Sequence, residues 1–225
     1  ILFKKEKDIT VNISHELMTP VSIIRSKLEN ILLKPDLDPE IAVKTEDSLK
    51  TLQRLQNLVN SLLMIARIES EQYLKEECFG ISELLQEILT ELHPIAEDSG
   101  IELKHDISGQ FEVKDANRAL IVSMLYNVVN NAIKNTPAGG LIIVSSRMYQ
   151  GRLSVSIADN GKGMTEKQKS TLFSRFKTRD ANSTPGTGIG LAISKTIADF
   201  HKIEVSVTSE KGKGSTFSFV FPGIS

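Results

Sequence analysis

The 225-residue chain has no tryptophan, one cysteine, 5% aromatic residues and no surplus of charge, with 27 Lys and Arg against 28 Asp and Glu. A single cysteine allows no internal disulfide, fits a reducing cytoplasm and lacks the companions of a zinc site. Cys78 is expected to be a buried small apolar residue. The balanced charge, with basic residues scattered, provides no electrostatic footprint for DNA or RNA, so nucleic acid is not an expected partner. No apolar run is long enough to span a bilayer, and no signal-peptide pattern is present. The opening Ile1, Leu2 and Phe3 followed by Lys4 and Lys5 reads equally as the cytoplasmic end of a membrane span and as an ordinary helix start.

What is present is a change of periodicity. Leu17, Val21, Ile24, Leu28 and Ile31 alternate steps of four and three, which is a heptad seam. Pro35 to Pro39, with Asp36 and Asp38, mark a turn, and Leu52, Leu55, Val59, Leu62 and Ala66 continue as a second seam. The two segments predict a helical hairpin, and stripes of this length call for a second copy, giving a homodimeric four-helix bundle. Beyond the polar passage Glu71 to Gly80, helices are expected at about Ser82 to Asp98, Asn117 to Asn135, Glu166 to Arg175 and Gly188 to Lys202. Strands are expected at Ile101 to Asp106, Leu141 to Met148, Arg152 to Ala158, Ile203 to Thr208 and Ser215 to Val220. The class is therefore α+β: a hairpin domain over 1–74, then an α/β sandwich with a mixed sheet over 75–225, its helices covering one sheet face.

Within NISHELMTPVSII, His15 lies one step off the seam and is open to solvent. Pro20 removes a donor and crowds the Glu16 carbonyl, so the helix should kink where His15 and Glu16 sit. A neutral imidazole offers one nitrogen lone pair, and an adjacent carboxylate can fix the other nitrogen's proton or take up a proton during attack on phosphorus. A surface histidine on a kinked helix would share this pattern. SHELMTP nevertheless resembles the phosphoacceptor box of sensor histidine kinases, the transmitters of two-component signalling. The resemblance implies that His15 is phosphorylated, that Glu16 is its acid/base partner and that Thr19 positions water for phosphatase activity on the partner. Met18 stands where the family usually has arginine.

Four further segments carry chemistry. NVVNNAIKNT puts Asn127 and Asn131 on one helix face with Lys134 about a turn further, so amide oxygens can meet magnesium and an ammonium can meet phosphate. DNGKGM follows a strand, allowing a tight turn at Gly161 and Gly163 and a hydrogen bond from an adenine amine to Asp159. LFSRF presents Phe173 and Phe176 on one expected helix face. GTGIG opens a helix, where bare amides and the helix dipole suit phosphate oxygens.

Taken in order, these segments resemble the ATP-binding domain shared by histidine kinases, DNA gyrase B and MutL. The resemblance implies ATP and Mg2+ as cofactors: Asn127 and Asn131 at the metal and phosphates, Lys134 at phosphates, Asp159 at adenine, and Gly161 and Gly163 in its pocket. It also implies a lid over residues 177–187, phosphate contacts from Gly186, Gly188 and Gly190, a place for Thr187 and Leu191 in the nucleotide site, and Thr216 near adenine. Asn135 replaces a common aromatic residue. Lys177 and Thr178 replace an aromatic-arginine pair, leaving Lys177 and Arg179 as candidates for the transferring phosphate. A common His-Gly-Gly appears as His201, Lys202 and Ile203, implying a different turn. His93, His105 and His201 are expected to be structural or solvent-facing.

No Walker lysine loop occurs, and GTGIGLA lacks the preceding strand of a dinucleotide site. The expectation is the cytoplasmic catalytic core of a sensor histidine kinase, phosphorylating His15 and passing the group to an aspartate of a response-regulator receiver domain. Its full-length form would be membrane-anchored before Ile1, with bending at Pro20 coupling a sensor to catalysis. The alternative is a non-catalytic dimeric signalling scaffold with a regulatory nucleotide pocket.

Overall fold

The structure is a computed structural model that describes residues 18–107, 109–174 and 190–223. The chain divides into two compact units between Gln72 and Tyr73.

The first unit is a helical hairpin of α1 (residues 18–32) and α2 (Pro39–Glu69). The expected turn is present. Asp38 caps α2 by accepting a hydrogen bond from Glu40 N at 2.7 Å, and Pro39 occupies the first helical position, where its missing donor costs nothing. Arg25 donates to Gln53 at 3.1 Å, tying the two helices as antiparallel neighbours. Seam residues Val21, Leu28, Ile31, Leu52 and Val59 are wholly or partly covered, whereas Ile24, Leu55 and Leu62 keep 49%, 45% and 38% of their surface exposed. The kink expected at Glu16 lies outside the described residues.

The second unit is a two-layer α/β sandwich. A five-stranded sheet runs in the order β2 (Glu102–Ile107), β4 (Leu141–Tyr149), β5 (Arg152–Asp159), β7 (Gly214–Val220) and β6 (Glu204–Glu210). β2 and β4 are parallel and the other pairings antiparallel, which makes the sheet mixed. Ile142, Val144, Leu153, Val155, Ile157, Phe217 and Phe219 point to one face and are buried. Against that face lie α3 (Ile81–Asp98), α4 (Arg118–Asn135) and α6 (Gly190–Phe200). The helix-facing residues of α3, namely Ile81, Leu84, Leu85, Ile88, Leu89, Leu92 and Ala96, recur at helical spacing and are buried.

Three expectations are corrected. First, a second sheet pairs β1 (Glu77–Gly80) with β3 (Glu112–Ala116), within stretches read as irregular. Only Val113 and Ala116 of these strands are fully buried, so the period-two signal is too short to stand out. Second, Cys78 is exposed, because the register shifts between Glu77 and Phe79 and places it on the irregular part of β1. Third, the helix expected at Glu166 to Arg175 stops early, as α5 (Glu166–Lys169). Thr171, Leu172 and Ser174 bond back three residues rather than four, and the Ser170 and Thr171 hydroxyls compete for the Lys167 carbonyl. Phe173 therefore lies on a turn and not on a helix face.

Candidate active site

Helix α4 supplies one wall. Its N-terminus is fixed by Asn117, whose side chain accepts from Leu120 N at 3.1 Å, and by His201, whose Nε2 accepts from Asn117 N at 3.0 Å. Asn127 and Asn131 fall one turn apart and are half-buried, while Lys134 is exposed in the last turn. Asn135 donates to the Asn131 side-chain oxygen at 3.1 Å, which orients that amide. Helix α6 packs onto α4 through small residues, with the buried Ser194 hydroxyl shared between Met124 O at 3.1 Å and Gly190 O at 3.0 Å. Gly190 thereby lies against Asn127: a Cβ there would sit 3.6 Å from the Asn127 amide oxygen. The asparagine face and the start of α6 are thus brought together, with Leu191 buried just behind.

The opposite wall is the loop after β5. Asp159 accepts from Gly161 N at 2.9 Å. Burial pushes its carboxyl above the ordinary aspartate range, and the N–H groups of Gly161 and Ser215 partly offset this. The loop is stitched on both sides. Lys162 N donates to Asn135 O at 3.2 Å, at the end of α4, and Gly212 N donates to Lys162 O at 2.8 Å from the β6–β7 hairpin. Met164 N donates to the Ser209 hydroxyl at 2.8 Å, which in turn donates to Gly214 O at 2.9 Å.

This packing gives the glycines a reason other than ligand approach. A Cβ on Gly161 would overlap the Asn135 carbonyl, and one on Gly163, at φ 58°, the Glu210 carbonyl. Gly214, at φ 96°, meets the Asp159 carbonyl in the same way. The Asp159 loop therefore depends on glycine wherever three backbone segments converge.

The ladder also reassigns the β7 residue. Asp159 pairs with Ser215, so both project to the helix-side face, whereas Thr216 pairs with Ala158 and projects to the other. Ser215, buried and 3.0 Å from the Ser209 hydroxyl, is the β7 side chain brought to Asp159; Thr216 is not. The cue available in the sequence was the two-residue period counted from Phe217 and Phe219.

Thr19 lies exposed on α1. His15, Glu16, Phe176, Lys177, Arg179, Gly186, Thr187 and Gly188 lie outside the described residues. His201 is structural: it is buried, its Nδ1 donates to Ile197 O at 2.9 Å, and burial lowers its pKa below the ordinary histidine value. His93 and His105 face solvent.

A family model described as "His Kinase A (phospho-acceptor) domain" matches residues 6–71, and one described as "Histidine kinase-, DNA gyrase B-, and HSP90-like ATPase" matches residues 116–224. The chain belongs to the sensor histidine kinases. Over 97% of its length this sensor histidine kinase is 29% identical to the "Sensor-like histidine kinase SenX3" of Mycobacterium tuberculosis, covering 54% of that protein. Over 98% of its length it is 31% identical to the "Phosphate regulon sensor protein PhoR" of Pseudomonas aeruginosa, covering 51%. The chain thus spans about half the length of the curated relatives it matches. Among solved structures, full-length ShkA in complex with AMPPNP superposes with a TM-score of 0.77 at 25% identity, over 96% of this chain and 45% of that one.

Proposed function

We propose that the chain is the catalytic core of a sensor histidine kinase that phosphorylates itself on His15 from ATP and passes the group to an aspartate of a response-regulator receiver domain. The observation that carries this reading is the union, in one chain, of a phosphoacceptor match containing His15 and Glu16 with a nucleotide-fold match whose Asp159 loop is backed by the end of α4 and the β6–β7 hairpin. The residues suit the nucleotide. A carboxylate that accepts from the backbone N–H groups of Gly161 and Ser215 keeps lone pairs for an adenine amine. A solved relative described in complex with AMPPNP adds support. Among the described residues no group of three or more His, Cys, Asp and Glu could hold a metal. A magnesium ion at Asn127 and Asn131 would then take most of its ligands from phosphates and water, as this ion commonly does.

In this reading a ring nitrogen of His15 attacks the γ-phosphorus in line, the N–P bond forms as the bond to the bridging β-oxygen breaks, and ADP leaves. Glu16 takes up the imidazole proton. The protein's part is positioning and charge stabilisation, assigned to Lys134, to Lys177 or Arg179, and to the amides of Gly186, Thr187, Gly188 and Gly190. Thr19, on the exposed side of α1, positions water for phosphatase activity on the same partner. The functional division falls at 74/75, two residues beyond the boundary between the compact units. The seam residues exposed in one protomer are the contact of a homodimer. No helix of the described residues is long and apolar enough to cross a membrane.

The test is incubation with γ-labelled ATP and magnesium, comparing the chain with His15→Gln. Acid-labile, base-stable label lost in the variant is the expected result. Measurable ATP binding with no label would replace the kinase reading with that of a scaffold whose pocket is regulatory.

A further inference from the structure

The second unit is electrically lopsided. Residues 71–112 carry eleven Asp and Glu against two Lys, whereas residues 113–225 carry fifteen Lys and Arg against seven Asp and Glu. The basic half contains the nucleotide residues; the acidic half consists of β1, α3 and β2, and no role proposed above uses it. β2 is an edge strand of the sheet, and among the described residues β4 is its one strand neighbour, so its other side is an edge open to a further strand. Beside that edge, between α3 and the helix-side face of β2, runs a groove with about 520 Å³ of open volume. Leu89, Leu103 and Pro94 form its apolar lining, and Thr90, His93 and His105 its rim. The Thr90 and His93 stripe of α3 continues at helical spacing into exposed Glu83, Glu87 and Glu97. On the outer side of β2 the exposed side chains are Glu102, Lys104 and Asp106, with Lys104 paired to Glu102 at 2.9 Å.

We infer that the free edge of β2 is a docking site for an extended, basic segment of a partner protein, which adds to the sheet as a sixth strand. Geometry and charge fix the pattern of that segment. Residues pointing inward enter the groove over Leu89 and Leu103 and are apolar; residues pointing outward lie opposite Glu102 and Asp106 and are lysine or arginine. A helix laid in the groove would leave the β2 edge unpaired, and an acidic segment would meet the acidic half of the domain. The basic nucleotide half is a separate surface, so docking and ATP binding are independently measurable.

The probe is a short peptide alternating valine and lysine, titrated into the full chain while hydrogen exchange of the β2 amides is followed. Expected are protection confined to β2, weakening with added salt, and an affinity about tenfold lower in the charge-reversed variant Glu102→Lys/Asp106→Lys. Both substitutions are on exposed side chains, so the fold and ATP binding should persist. A second variant, Leu103→Lys, should abolish docking, and its nucleotide affinity reports whether it has folded. Equal protection by a valine and glutamate peptide, stronger binding by a basic amphipathic helix, unchanged affinity in the charge-reversed variant, or no protection of β2 would each overturn the inference.

Discussion

Asp159 shows how one carboxyl can be both expensive and useful. Burial raises its pKa, so the folded chain holds this proton more tightly than the unfolded chain does. Stability contributed at this position is therefore lost as pH rises from the ordinary aspartate value through the raised one. ATP binding should run the other way, because an adenine amine needs the ionised acceptor. Asp159→Asn should lower nucleotide affinity by about tenfold or more, the size expected for losing a hydrogen bond to a charged group. Its stability should also lack the decline with rising pH. Calorimetric titration with ATP and denaturant unfolding across the acidic range check the two halves separately. The identity of Asp159 was legible in the sequence, since Asp-x-Gly-x-Gly after a strand is a compact signal. The role of its neighbours was not. Gly161 and Gly163 face carbonyls of Asn135 and Glu210, which are distant in sequence, and Ser215 rather than Thr216 shares Asp159's side of the sheet.

At the scale of elements, helix ends decide several local questions. α3 ends in a Schellman turn: Ile101 N bonds to Ala96 O, Gly100 N bonds to Glu97 O, and Gly100 takes the left-handed conformation at φ 66°. α2 and α6 end in the same way, yet their left-handed residues are Glu71 at φ 51° and Lys202 at φ 57°. After α6, where the family pattern reads His-Gly-Gly, a lysine side chain thus bears the strain of a left-handed position. Lys202→Gly should therefore stabilise the unit by about 1 kcal/mol, read as a rise in the denaturant midpoint at unchanged slope. The neighbouring His201 makes the same corner sensitive to pH. Its neutral ring donates to Ile197 and accepts from Asn117 N, and its pKa is lowered. The unfolded chain consequently binds more protons below about pH 6.5, and stability from this residue is present above that value and lost as pH falls. Unfolding at about pH 5.5 and about pH 7.5 should differ more in the native chain than in His201→Asn, which keeps a donor without titrating. Long elements with many apolar residues, such as α3 and α4, were readable from periodicity. β1 and β3 were not, because their pairing is non-local and only two of their residues are fully buried.

At the scale of the whole molecule, the hairpin unit poses the main question. Ile24, Leu55 and Leu62 repeat on the heptad seams and remain substantially exposed in one protomer, although Val21, Ile65 and Ile68 are buried. A stripe of this kind on a solvated hairpin is the surface that a second copy would cover, by the same packing that forms coiled-coil cores. Placing charge there is a sharper test than truncating it, since two buried carboxylates facing each other across a symmetric contact cannot be tolerated. The double variant Leu55→Asp/Leu62→Asp should sediment as a monomer. Nucleotide affinity should be unchanged, because Asp159, Asn127 and Gly190 all belong to the second unit. Autophosphorylation separates the remaining possibilities. If the donor nucleotide and the acceptor His15 come from different protomers, labelling in the monomeric variant should fall by about tenfold or more, the scale of advantage expected when linkage makes an encounter intramolecular. A monomer that labels at the native rate would mean that one protomer brings its own nucleotide to its own histidine, and that the exposed seam serves assembly rather than catalysis.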